Sequence, residues 1–574
     1  METQQQTSGG AAESGGRDWA PALAWLRRHG PVALLCLSLL GAAVVYTLAG
    51  WSLTFFQDTW AFLLDRQATD VDAFLLPHNE HIVVVPVAIT RLLLEVFGMS
   101  SNTPEQVAMA LTVFACAILL FVYVRRRVDP WLAAMAAALL LFLGSSWPII
   151  LWPFENEFTI PIAAGIGMLL LLDREDSRGD AWACAALLLA VLSGSLGIAF
   201  GIAAGVDFLL KYRSRGWKRA YVFLVPGLVY IAWYLGWGHN AETHLALRNI
   251  LDAPHYVMDG FASALGSLAG LGTTPVNSPG QPDWGRPLLI GAIGLFAFGQ
   301  WRRPGIPRTF WPILAAALTY WLLAAFNYIP GREAASTRYV FAAAVFILLM
   351  AAELLRGVNF SRRGLLVAGI VTVCAIGPNL AQMKDGRDWL KEQTIYTRGD
   401  LAALEIARDT IQPYFNLASY EIAGTASLAM IEAAKYFEAA DRWGSPAYSP
   451  QELSEAPARP RRHADLILSQ ALPLSTETTL GEYDFGGAAE NCLTVNPGPD
   501  PSEVLLFPGE TRIEVAPGGP ADFKLRRFAT GVYPVDTEGA PGESTTLLTI
   551  PRDRALKWPW YLQVTAAQPV RVCR

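Results

Sequence analysis

The stretch His81-Ile82-Val83-Val84-Val85-Pro86-Val87-Ala88-Ile89-Thr90-Arg91-Leu92-Leu93-Leu94-Glu95-Val96-Phe97-Gly98 decides how this chain is threaded. It is apolar enough to suggest a membrane span, yet Arg91 and Glu95 fall in its middle, where charge is costly inside a bilayer. Counting it as a span would also throw Arg125, Arg126 and Arg127 to the outer side. Read instead as an amphipathic helix on the outer interface, it lets the basic residues sort. With the N-terminus in the cytoplasm, cytoplasmic segments before Lys384 hold 19 Lys/Arg, against 6 outside: Arg66, Arg91, Arg248, Arg286, Arg332 and Arg338. That asymmetry is the positive-inside pattern of a multi-pass protein.

Composition agrees. Of 574 residues, 53% are hydrophobic and only 16% charged, with a net charge of −6 and a mean hydropathy of +0.31. This excludes a disordered chain, a coiled coil and a basic nucleic-acid binder, and it argues against a wholly soluble enzyme. Before Lys384 the apolar runs predict about eleven spans. They lie at 31–55, 105–124, 131–150, 156–172, 182–194, 196–210, 219–237, 287–301, 309–328, 337–355 and 364–383. The runs 182–194 and 196–210 are short and joined by Ser193-Gly194-Ser195, so a shallow hairpin is an alternative there. Residues 1–30 form a cytoplasmic N-terminus that is Gln/Ser/Gly-rich and disordered at its start; the first span is too long for a cleaved signal sequence.

An odd number of passes places everything after residue 383 outside. Residues 384–477 read as a helical region, with helical spacing through 385–443, a Pro/Ser-rich break at 444–460 and a short helix at 463–472. Residues 478–574 alternate and turn like a β-sandwich. Trp558, Trp560 and Tyr561 are either a sugar platform or core. Cys492 and Cys573 are the two cysteines of this tail. In an oxidising compartment they form a disulfide; the alternative is two separate buried thiols.

Chemistry concentrates at the outer face. No phosphate-binding glycine loop, dinucleotide fingerprint or H-E-x-x-H occurs. His78-Asn79-Glu80-His81 lacks the i, i+4 spacing that puts two metal ligands on one helical face. Asp58 follows the first span directly, where partial desolvation favours a base, and Glu80 shares its loop (56–104). Asp65, Asp70 and Asp72 read as solvated. Glu155 and Glu157 sit in an apolar hairpin tip, Trp152-Pro153-Phe154-Glu155-Asn156-Glu157-Phe158, where acids face water, a cation or a substrate. Arg338 enters the outer end of a span, and its planar fork suits a phosphate or the interface.

This layout resembles the GT-C superfamily of integral-membrane glycosyltransferases. The likeness rests on a first span followed by an outer loop opening with an acid (Phe56-Gln57-Asp58), an interfacial helix ending in Phe97-Gly98, and an Arg-Tyr pair, Arg338-Tyr339, at the start of a late span. Asp58 stands alone where the family usually has a pair of acids. The tail is similar in plan to that of actinobacterial cell-wall arabinosyl- and mannosyltransferases. The resemblance implies a polyprenyl-phosphate sugar donor, an extracytoplasmic glycan, lipid or protein acceptor, and inversion in one displacement, at the cell membrane. It implies Asp58 and Glu80 as catalytic carboxylates, with Asp58 taking the acceptor proton and Arg338, beside Tyr339, binding the lipid phosphate. His78, His81, Glu155 and Glu157 would orient sugar or acceptor. A divalent cation is left open. The rival readings are a transporter or flippase of lipid-linked sugars, which predicts charge at mid-bilayer depth, and a non-catalytic cell-envelope assembly protein.

Overall fold

A computed structural model describes residues 20–272, 282–302, 305–417, 431–481, 491–498 and 501–574. The start of the N-terminal segment lies outside the described residues. Six described helices are long and apolar enough to cross a membrane: Arg28–Gly50, Thr103–Arg125, Pro153–Leu172, Trp217–Gly236, Thr337–Leu354 and Arg362–Ala407. A seventh is a broken pair, Pro130–Leu141 with Gly144–Leu151, bent by 41°. The polytopic helical architecture expected from composition therefore holds, although several of the eleven expected spans are helices that fall short of this test. The short runs 182–194 and 196–210 are the helices Ser177–Val191 and Leu196–Arg215. Between the expected spans 219–237 and 287–301 lies a 22-residue helix, Leu247–Leu268. Its Arg248, Asp252 and Asp259 hide it from a hydropathy reading, while Ala253, Gly260, Ala264 and Leu268 are buried against the bundle.

The threading stretch forms a 14-residue helix, Val84–Phe97, about 21 Å long and too short for a hydrocarbon core of about 30 Å. Pro86, Val87 and Leu94 are buried. Leu92, Val96 and Phe97 are exposed, the amphipathic division of an interfacial helix. Arg91 is tied down rather than left in an apolar surface. It pairs with Glu95 at 3.1 Å, donates to the carbonyls of Arg66 and Gln67 at 2.9 and 2.7 Å, and lies over the Trp443 ring.

Helix Arg362–Ala407 runs 46 residues without a break, about 69 Å. The composition change at 383/384 thus falls inside one helix. Its close seat is visible at Gly386, where an added Cβ would lie 2.2 Å from the Trp147 ring.

Beyond it lie helices Ala433–Trp443, Pro450–Glu455 and Ala458–Ala471. The Pro450–Glu455 helix opens on a Ser449/Glu452 capping box and occupies part of the expected Pro/Ser break. The strands form two antiparallel sheets. One has the order β1(Ser475–Leu480), β7(Ser544–Ile550), β4(Gly509–Val515), β9(Val570–Cys573), β2(Cys492–Val495). The other has the order β3(Ser502–Leu506), β8(Trp560–Ala566), β5(Ala521–Arg526), β6(Val535–Asp536). Alternating burial along β5, β7 and β8 fills the core between them. Trp560 is wholly buried there, and the Arg526 guanidinium covers Tyr561 at 4.0 Å, so these rings make no open sugar platform. Cys492 and Cys573 face each other across β2 and β9 and are joined by a disulfide. Asp465 couples the last helix to the sandwich by accepting the backbone N–H groups of Arg527, Phe528 and Ala529 at 2.8–2.9 Å.

Candidate active site

The chain leaves its first helix and turns at Gln57, which takes a left-handed φ of +42°, uncommon for a residue with a side chain. Asp58 follows at the N-terminus of the short helix Thr59–Leu64, and its side chain makes no capping hydrogen bond. Trp152 fixes this corner by donating to Phe56 O at 3.1 Å and Thr59 Oγ1 at 2.9 Å. His78 Nε2 stands 3.8 Å from Asp58 Oδ2, with its ring edge-on to Phe62 and Phe154.

His78-Asn79-Glu80-His81 is a tight turn, not a helix. His78 and His81 exchange backbone hydrogen bonds of 3.0 and 2.9 Å, and Asn79 has φ +49°. Arg66 supports the approach by donating to the carbonyls of Ala73, Leu76 and Pro77. The turn presents Glu80 to Arg332 at 2.6 Å and His81 Nδ1 to Ser195 Oγ at 2.5 Å. Burial alone would raise the Glu80 carboxyl, but His81 and Arg332 together hold it below the usual carboxylate range. Burial pushes His81 down to about 4, against the pull of Glu80, so the imidazole is neutral at physiological pH.

Glu155 and Glu157 arrive from the short helix Pro153–Glu155 and the first turn of Asn156–Leu172. They are 1% and 7% exposed. In Glu80, Glu155 and Glu157 alike, Oε2 is buried with no hydrogen-bond partner. Gly194 permits the approach from the next helix: a Cβ there would sit 2.4 Å from Glu157 O. Arg338 lies in electrostatic range of Glu155, Asp58 and Glu157, over the Tyr339 ring, and donates to Gly331 O at 3.4 Å.

These groups enclose a cavity of about 220 Å³. Asp58, Glu80, His81, Glu157, Arg338 and Tyr339 are on its wall; His78 and Glu155 stand behind it. Acids gather with two guanidinium groups, and Phe154, Phe158, Leu196, Ile198 and Leu323 supply an apolar lining. Cys492 and Cys573 belong to the sandwich. Sequence reasoning did not select Arg332, Ser195, Tyr230, Tyr234 or Asn327, which also line the cavity. Arg332 lies six residues before Arg338, and Ser195 is in the junction read only as a turn. Among the described residues no group of three or more His, Cys, Asp or Glu side chains is arranged to hold a metal ion.

No family model and no curated protein sequence matches the chain. Among solved structures it is similar to ArnT from Cupriavidus metallidurans bound to undecaprenyl phosphate, at 13% identity and a TM-score of 0.45, over 74% of this chain and 91% of that one. It is also similar to the Archaeoglobus fulgidus oligosaccharyltransferase tethered to an acceptor peptide, at 14% identity and a TM-score of 0.40, over 75% and 60%.

Proposed function

We propose that this chain is a multi-pass membrane glycosyltransferase that moves a sugar from a polyprenyl-phosphate carrier to an extracytoplasmic glycan, lipid or protein acceptor. The observation that carries this reading is the joint presence of Asp58, Glu80, Glu157, Arg332 and Arg338 on one partly apolar cavity. The acceptor oxygen forms a bond to the anomeric carbon while the bond from that carbon to the phosphate oxygen breaks. The acceptor proton passes to Asp58, and the departing electron pair stays on the lipid phosphate. Arg338, with Arg332 beside it, stabilises that phosphate; preorganised charge is most effective where water is excluded. The unpartnered oxygens of Glu80 and Glu157 accept hydrogen bonds from sugar hydroxyls, which removes the cost of leaving them unsatisfied. One in-line step inverts the anomeric centre. The N-terminus is cytoplasmic and the C-terminal region extracytoplasmic, following the basic-residue asymmetry.

The test is sugar transfer by the full chain in lipid vesicles supplied with polyprenyl-phosphate sugars. Wild type transfers, whereas Asp58→Asn and Arg338→Ala, expressed at normal levels, do not. Undiminished transfer by both variants would overturn the site assignment.

A further inference from the structure

Asp58 stands on a seam between two apolar cores. Phe56 and Phe62 pack into the core of the helical bundle. Phe55, Trp60, Leu63 and Leu64, interleaved with them in sequence, belong to a second core shared with Ile431, Tyr436, Leu453 and the sandwich. Trp60 is wholly buried and lies edge-on to Phe55 and Tyr436, with ring centroids 5.8 and 6.5 Å away. Lys435 Nζ meets Asp65 at 2.6 Å, and its carbonyl accepts from Gln67 Nε2 at 2.9 Å. At the far end of the same helix, Trp443 O accepts from Met99 N at 2.6 Å, and Arg442 pairs with Glu95 at 2.7 Å. Helix Ala433–Trp443 therefore fastens both ends of the outer segment that starts at Asp58. None of its residues lines the cavity.

We infer that helix Ala433–Trp443 is a positioning element for Asp58, with Tyr436 and Lys435 acting through the helix Thr59–Leu64. This rests on the reading of Asp58 as the base of the proposed transfer. Deleting the Tyr436 ring opens a void beside Trp60, and the short helix carrying Asp58 shifts to fill it. A displacement of about 1 Å at a reacting group costs up to about 100-fold in rate. Arg332, Arg338 and Glu157, which hold donor and sugar, come from the bundle and stay in place. The defect therefore falls on kcat and not on KM.

The experiment uses the full chain in lipid nanodiscs, with Tyr436→Ala, Tyr436→Phe and Lys435→Ala. Tyr436→Ala lowers kcat about 10- to 100-fold with KM within about two-fold of wild type, and Tyr436→Phe restores most of the rate. Hydrogen exchange rises across 56–66 in Tyr436→Ala while 103–125 and 153–172 keep their protection. Exchange is independent of catalysis: a wild type that transfers no sugar defeats the functional reading, and the exchange pattern still decides the positioning role. If Tyr436→Ala fails to fold, Lys435→Ala carries the test, with faster exchange across 59–67 and a lower kcat. Unchanged exchange and unchanged kcat in whichever variant folds overturn the inference.

Discussion

Glu80 and Arg332, 252 residues apart in the chain, meet at 2.6 Å on the cavity wall. The contact joins the first outer loop to the segment that leads into Arg338, so the candidate base and the candidate phosphate site are held to one another by a charged hydrogen bond. Removing the guanidinium in Arg332→Ala strands a carboxylate that is only 18% exposed, at a cost of about 1.5–3 kcal/mol. A lower melting temperature of the detergent-solubilised protein checks this. The Glu80 carboxyl is held below its usual value in the fold, so its contribution is present above the unfolded carboxylate pKa and is lost as pH falls through the lowered one. Wild type and Glu80→Gln should therefore converge in stability under acid.

His81 gives a second pH signature. Its imidazole titrates near 4 in the fold against 6.5 when free. Between those values the unfolded chain binds a proton that the folded chain does not, so stability rises with pH from about 4 to 6.5. The full span is about 3 kcal/mol. Melting curves at pH 5 and pH 7 should differ in wild type, and the difference should shrink in His81→Asn.

For the proposed reaction, Asp58→Asn keeps the shape of the side chain and removes the candidate base. A loss of about 10²- to 10⁴-fold in kcat is expected. Arg338→Lys keeps the charge but not the planar fork, and should recover only part of the activity lost in Arg338→Ala. Both are read by initial rates of transfer at saturating donor.

Much of this site was legible because it is local. Asp58, Glu80 and His81 share one loop, and Arg338 opens an apolar run, so position relative to the membrane marked each of them. Arg332 and Ser195 carry no such mark. Their roles come from partners 252 and 114 residues away, and no periodicity encodes such a meeting. The fold divides in the same way. Arg91 and Glu95 revealed the interfacial helix because charge is expensive in lipid. Leu247–Leu268 escaped because its apolar residues are spaced for one buried face and its charges broke the hydropathy run. The break at Gly144 was invisible because its cause is tertiary: an added Cβ there would lie 1.6 Å from Asn379 O.

The Cys492–Cys573 disulfide closes a loop spanning 81 residues of chain, most of the sandwich. A constraint of that length stabilises by about 4.5 kcal/mol in the chain-entropy account. Cys492→Ser should lower the unfolding temperature of the sandwich while leaving the helical bundle intact, as read by limited proteolysis with and without reductant.

The helix Arg362–Ala407 meets three separate parts of the protein from fixed points along its length. Asn379 accepts from Ser145 N, Trp389 packs against Phe56 and Trp147, and Asp400 bonds His463. A helix advances about 1.5 Å and turns about 100° with each residue. One residue inserted between 379 and 389 would swing Trp389 off Phe56 and carry every later contact round with it. A change of length there is felt by every contact beyond it: the spacing of this helix is a gauge, and the loop that carries Asp58 is one of the things it measures.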